Sequence, residues 1–291
     1  MLRRLPMMAA AALLPILAAA PSAAQDEPIE LADDPFEITD PIAARPGEAE
    51  LAAFGFYERA RRGRTRDTVG TEIEAEFGVA PRLELRLGQA GAYGNLETRR
   101  RLDAAAPDRT PGVPGGGGGV GGEETGAAWG GATRLGLLYQ LTEDDGGALP
   151  IVGVLGRVRV VYGPRRPAHE AEAVALIGKT VVVAGSPLGL HLNLGWVARL
   201  DPQPGERPGR YFFNASVGRA VTNDTALVVT YAREQQERGE RDFDLLQAGV
   251  RHRLPGGRTV VGLAAGAGLT RDSPRFQLAF AVQWAFGTGG W

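Results

Sequence analysis

From residue 50 to residue 286 the chain alternates between apolar and polar positions in segments of about ten residues. The last segment is the cleanest. Phe276, Leu278, Phe280, Val282, Trp284 and Phe286 share one face; Gln277, Ala279, Ala281, Gln283 and Ala285 share the other. Period-two alternation is the signature of a β-strand with two unlike faces. Twelve such segments are predicted: 50–59, 68–79, 82–95, 128–141, 150–162, 170–183, 188–200, 209–220, 225–235, 242–254, 258–270 and 275–286. In 188–200, Leu188, Leu190, Leu192, Leu194 and Trp196 oppose Gly189, His191, Asn193, Gly195 and Arg199. In 68–79, Val69, Ile73, Ala75, Phe77 and Val79 oppose Glu72, Glu74 and Glu76. Segments 170–183 and 258–270 are apolar on both faces, so their facing stays open.

A strand crossing a bilayer at a tilt needs ~9–11 residues, the length found here. Every second connection is mostly short and carries turn chemistry (80–81, 142–149, 184–187, 221–224, 255–257). The others include the long 96–127 and the polar 201–208 and 236–241. Short turns on one side and longer loops on the other are the habit of outer-membrane barrels, and an even strand count returns both termini to the periplasmic side. Trp129, Tyr162, Trp196, Tyr211 and Tyr231 then fall at outer strand ends, and Phe77, Tyr139, Trp284 and Phe286 at periplasmic ends, as two aromatic girdles. The predicted fold is all-β: one antiparallel transmembrane β-barrel of about twelve strands over 50–291, with a bulky apolar face on lipid and a small or polar face on the lumen. Closure pairs the backbone that lipid would otherwise leave bare. A soluble β-protein of the same length is the rival; it requires the apolar faces to point inward.

The ends of the chain fit export. Arg3 and Arg4 precede an apolar run from Met7 to Ala20, and Ser22 and Ala24 stand where a signal peptidase needs small residues, so 1–24 reads as a signal peptide. Residues 25–49 have four prolines and no sustained period, and 25–50 carry a net charge of −8 from nine acids and one arginine. This segment is expected to be an acidic, flexible periplasmic arm. Its alternative is a plug whose carboxylates dock on basic groups in the lumen. There is no cysteine, which excludes a disulfide framework, thiol catalysis and zinc–thiolate sites.

The polar faces supply the candidate functional residues: Glu72, Glu74, Glu76, Glu84, Arg86, Arg134, Arg157, Arg159, His191, Asn193, Arg199 and Arg251 as lumen lining. Acids on early strands facing bases on others would set a transverse field that selects solutes. The same groups, paired off, would be filler that closes the lumen. No catalytic, metal or cofactor site is expected: three scattered histidines make no ligand set, and neither His191-Leu192-Asn193 nor any His-x-Ser offers a serine for hydrolysis. Gly178-Lys179-Thr180 lacks the upstream glycine and following helix of a phosphate loop. Gly115 to Gly119 marks a low-complexity loop.

The phrases Glu76-Phe77-Gly78-Val79-Ala80-Pro81-Arg82-Leu83-Glu84-Leu85, Gly136-Leu137-Leu138-Tyr139-Gln140-Leu141-Thr142-Glu143-Asp144 and Gly218-Arg219-Ala220-Val221-Thr222-Asn223-Asp224-Thr225-Ala226-Leu227 share one strand–turn–strand cadence. It resembles a large family of outer-membrane barrels named for the meta-cleavage pathway of phenol degradation, and the similarity covers most of 68–286. The resemblance implies an outer-membrane location in a Gram-negative bacterium and passage of small molecules, hydrophobic or aromatic ones among them. The expected partners are outer-membrane lipid, a small solute and the barrel-assembly machinery, read through the last strand, with no nucleic acid. The closing aromatic of that strand is Phe286 or, after Gly287-Thr288-Gly289-Gly290, Trp291. The alternative to a channel is a barrel without transport, serving a structural or surface-interaction role.

Overall fold

A computed structural model of the chain describes residues 36–62, 65–94, 127–143, 147–163, 167–202, 204, 206–236 and 241–287. The signal peptide, residues 25–35, the glycine run and Trp291 lie outside these.

Twelve antiparallel strands close into one barrel: β1 (Ala49–Arg59), β2 (Asp67–Ala80), β3 (Leu83–Gly94), β4 (Ala128–Gln140), β5 (Ile151–Tyr162), β6 (Ala168–Val183), β7 (Ser186–Arg199), β8 (Gly209–Ala220), β9 (Thr225–Glu234), β10 (Phe243–Arg253), β11 (Thr259–Gly268) and β12 (Phe276–Phe286). Each strand pairs with its sequence neighbours, and β1 closes on β12 from Ala49↔Phe286 to Arg59↔Phe276. The predicted fold class is borne out, and each predicted span agrees with the observed strand to within two residues at either end. Closure removes both sheet edges, so the ladder completes its backbone hydrogen bonding without a disulfide.

Local chemistry sets the turns. β6 and β7 are joined by Ala184-Gly185, both at positive φ (51° and 77°), the geometry whose twist matches a tight hairpin. β2 and β3 are joined through Pro81 and Arg82, the latter at φ 65°, with a register shift between Gly78 and Ala80 that increases the local twist. These turns, the start of β1 and the end of β12 lie at one end of the barrel, called here the turn end; the opposite one is the loop end.

The barrel is apolar outside. Leu87, Leu135, Leu137, Val158, Leu194 and Leu263 form an exposed mid-height band. Trp129, Tyr162, Trp196 and Tyr211 ring its loop end, and Phe77, Tyr139, Trp284 and Phe286 its turn end. Tyr93 packs at a tilt against Trp129 with ring centroids 4.8 Å apart, and Trp284 against Phe286 at 4.5 Å. An apolar surface of this extent far exceeds what a water-soluble monomer exposes. The soluble rival requires the reverse arrangement.

Candidate functional site

The interior is built by the inward half of each alternation. All twelve candidate residues point into it. Glu84, Arg86, Arg134, Arg157, Arg159, His191, Asn193 and Arg251 are buried there, as is Glu76; Glu72, Glu74 and Arg199 are half-buried. The charges are matched in clusters. Arg86 of β3 holds Glu76 (3.1 Å) and Glu74 (3.3 Å) and also bonds Glu84 beside it. Arg134 of β4 forks onto Glu72. Arg157 of β5 donates to Glu172 of β6 at 2.6 Å. Glu170 accepts from Arg159 (2.6 Å), Arg210 (3.1 Å) and Arg199 (3.3 Å), gathering β5, β7 and β8 on one carboxylate. On the opposite wall glutamine amides take over from ion pairs: Gln247 to Gln277 (2.6 Å), Gln277 to Glu58 (2.7 Å) and Arg251 to Gln283 (2.6 Å).

Sequence reading missed Glu170 and Glu172. Their strand continues inward as Val174 and Leu176, so the face that carries them reads as apolar. It also missed how much of the interior is apolar. Leu138, Leu155, Val174, Leu176, Val197 and Phe212 form one inward cluster on β4–β8. Phe56, with Phe54, packs on Ala90 and Ala92 near the loop end. Phe243 packs with Ala232 and Leu245. The expectation of a small or polar lumen face is corrected in part: the charged clusters alternate with apolar patches.

The described part of the arm, residues 36–48, runs along the inner wall of the barrel. Counting back from β1, Gly47 N–H donates to Gly78 O on β2 (3.3 Å), Ala44 N–H to Glu84 on β3 (2.7 Å) and Ala43 N–H to Gln140 on β4 (3.2 Å). Pro41 then rests on Gly153 of β5 and Gly178 of β6. Asn214 of β8 donates to Glu37 O at 2.6 Å, and the Phe36 ring lies on Gly249 of β10 and Gly262 of β11. The segment thus sweeps the wall from β2 to β11, with Ile38, Glu37 and Asp40 buried.

The physical reason is a track of glycines. A Cβ at Gly178 would lie 2.9 Å from Pro41 Cγ, one at Gly153 2.9 Å from Pro41 O, and one at Gly249 2.7 Å from the Phe36 ring. At Gly78 a Cβ would strike the Arg45 carbonyl. Glycine inside a strand weakens it, and its presence marks a close approach by another backbone. A cavity of about 90 Å³ remains between Phe36–Thr39 and the carboxylates of Glu72, Glu74 and Glu76.

Across β7–β10 the register brings together residues far apart in sequence. His191, Ser216, Thr230 and Gln247 form one cross-strand row, with Asn193 and Asn214 paired one step toward the loop end. Ser216 Oγ lies 3.3 Å from His191 Nδ1. The serine that local spacing denied His191 comes from the neighbouring strand.

A closed, even-stranded barrel, apolar outside with two aromatic collars and charged within, defines the fold of outer-membrane β-barrels. Solved structures agree. The chain is similar to an outer-membrane channel from Pseudomonas putida F1 at a TM-score of 0.55 and 12% identity, covering 87% of this chain and 99% of that one. It is also similar to the translocator domain of the autotransporter NalP from Neisseria meningitidis (TM-score 0.51, 10% identity, 84% and 90% covered). The β domain of the Bordetella autotransporter BrkA matches at 0.51, with 12% identity and 83% and 100% covered. At these identities the likeness is one of fold. No family model and no curated protein matches the chain by sequence.

Proposed function

We propose that the protein is an outer-membrane channel for small molecules whose lumen is gated by its own N-terminal arm, with the turn end facing the periplasm. The observation that carries this is the glycine track, a groove in the lumen wall shaped for residues 36–47. Polar and apolar patches alternate along the interior, which favours small solutes with some apolar surface over ions alone. The arm's bonds to Gln140 and Asn214 are neutral and worth about 0.5–1.5 kcal/mol net each, and its bond to the Glu84 carboxylate about 1.5–3 kcal/mol. The similar Pseudomonas putida protein is itself described as an outer-membrane channel.

A second reading is a barrel without transport. Glu170 with three arginines and Arg86 with three glutamates favour it, because a lumen braced by buried ion pairs has no need to conduct. Solute-driven swelling of vesicles containing the protein separates the two. The channel reading expects swelling in small neutral solutes that accelerates when residues 25–48 are removed from a correctly folded barrel. Equal, background-level swelling in both forms would leave the second reading.

A further inference from the structure

Among the described residues, the buried polar atoms Asn193 Oδ1, Thr230 Oγ and Gln247 Oε1 on the β7–β10 wall have no hydrogen-bond partner. Their residues are each 2% exposed. Thr230 and Gln247 face each other across the β9–β10 ladder, and Asn193 lies further round the wall on β7, on the row one step toward the loop end. Two are acceptors only, and the hydroxyl of Thr230 accepts as well as donates. Buried polar atoms are almost always bonded, and an acceptor stripped of water without a donor is destabilising. Thr230 Oγ and Gln247 Oε1, side by side on the wall, therefore point to something that donates to them.

The described arm meets this shelf through a carbonyl, Glu37 O, which takes up the Asn214 amide. Phe36 beside it covers Gly249, one inward step from Gln247. One step toward the loop end the wall turns apolar, with Phe212, Ala232, Leu245 and Phe243. The shelf side chains Asn193, Asn214, Ser216, Thr230 and Gln247 are neutral amides and hydroxyls, with His191 at the end of their row, in contrast to the ion-paired wall of β2–β6.

We propose that this shelf is a solute-binding subsite for a small neutral molecule with an apolar body and at least one O–H or N–H donor, and that its occupation displaces the arm. The inference rests on the gated-channel reading and adds the solute class and the trigger. The donor satisfies acceptors that the described arm leaves bare, while the apolar body takes the Phe212–Leu245 surface. Because solute and arm share Asn214 and the neighbourhood of Gln247, they compete, and the linkage is reciprocal: whatever binds the shelf better than the arm shifts the population toward the released arm. A charged solute gains no counterion on this shelf, and a hydrocarbon leaves the acceptors bare.

The chain has no cysteine, so Ile38→Cys places a single thiol in the buried arm. The full-length variant in lipid nanodiscs is treated with a membrane-impermeant maleimide, in the presence of cyclohexylmethanol, methylcyclohexane or cyclohexanecarboxylate. The expected result is a labelling rate several-fold higher with the alcohol and unchanged with the other two. Adding Thr230→Val and Gln247→Leu to Ile38→Cys should abolish the alcohol response while heat-modifiable mobility confirms a folded barrel. No acceleration by the alcohol, or equal acceleration by all three compounds, overturns the subsite. That failure is distinct from failure of the gate. If arm removal opens the pore but the alcohol leaves labelling unchanged, the gate stands and the subsite falls. If arm removal opens nothing, the gate falls, and with it the trigger.

Discussion

Pro41 of the arm rests directly on Gly178 of β6, and no Cβ fits between them: one built on Gly178 would lie 2.9 Å from Pro41 Cγ and 3.1 Å from Cδ. His191, the other neighbour of that position, is 3.4 Å away, an ordinary contact. The glycine is therefore required by the arm more than by the wall. Gly178→Val should leave the barrel folded, since valine suits a strand, and should lift the arm. The expected readout is faster maleimide labelling of Ile38→Cys in the Gly178→Val background than in the parent, with unchanged heat-modifiable mobility.

Asn214 Nδ2 to Glu37 O is the bond that ties the far end of the arm to the wall. Asn214→Ala removes one neutral hydrogen bond, about 0.5–1.5 kcal/mol. The same labelling assay should accelerate by roughly 2- to 12-fold, the ratio that this free energy corresponds to. A change confined to global unfolding, with labelling unaltered, would place Asn214 in the barrel's stability and not in arm retention.

Glu170 joins three strands through Arg159, Arg199 and Arg210, and it is 2% exposed. Removing one partner of a buried charge cluster strands the others in low dielectric. Glu170→Gln should cost about 3–5 kcal/mol in urea unfolding from lipid vesicles. Glu143→Gln, which breaks the exposed Arg82–Glu143 pair at the turn end, should cost about 0–1 kcal/mol in the same assay.

Leu135 lies at mid-height on the outer face of β4 and is half exposed. Leu135→Arg should destabilise the barrel in a bilayer by about 2–4 kcal/mol, and Val79→Arg, at the turn end of β2, by about 0–1 kcal/mol. This depth dependence distinguishes a lipid-facing surface from one facing water, where both substitutions would be nearly neutral.

The strands were legible because period-two alternation survives wherever the two faces meet unlike surroundings, as in β7 and β12. Where the inward face itself turns apolar, at Val174 and Leu176, the alternation fades and Glu170 and Glu172 fade with it. The arm was illegible for a different reason. It follows a curved wall as irregular chain and has no period, and its seats are glycines on β2, β5, β6, β10 and β11 that only the register brings into line. The readable trace was the inward parity of those glycines, Gly78, Gly153, Gly178, Gly249 and Gly262, inside strands where glycine is otherwise costly. Ser216 beside His191 left no trace at all, because cross-strand register is not encoded in local spacing.

The central claim is that a conducting lumen lies beneath the arm. The most direct test is single-channel recording in planar bilayers of the mature protein and of the folded barrel lacking residues 25–48. The account predicts rare or small openings for the intact protein and discrete, sustained conductance once the arm is removed. Verified insertion with no conductance in either form would contradict it.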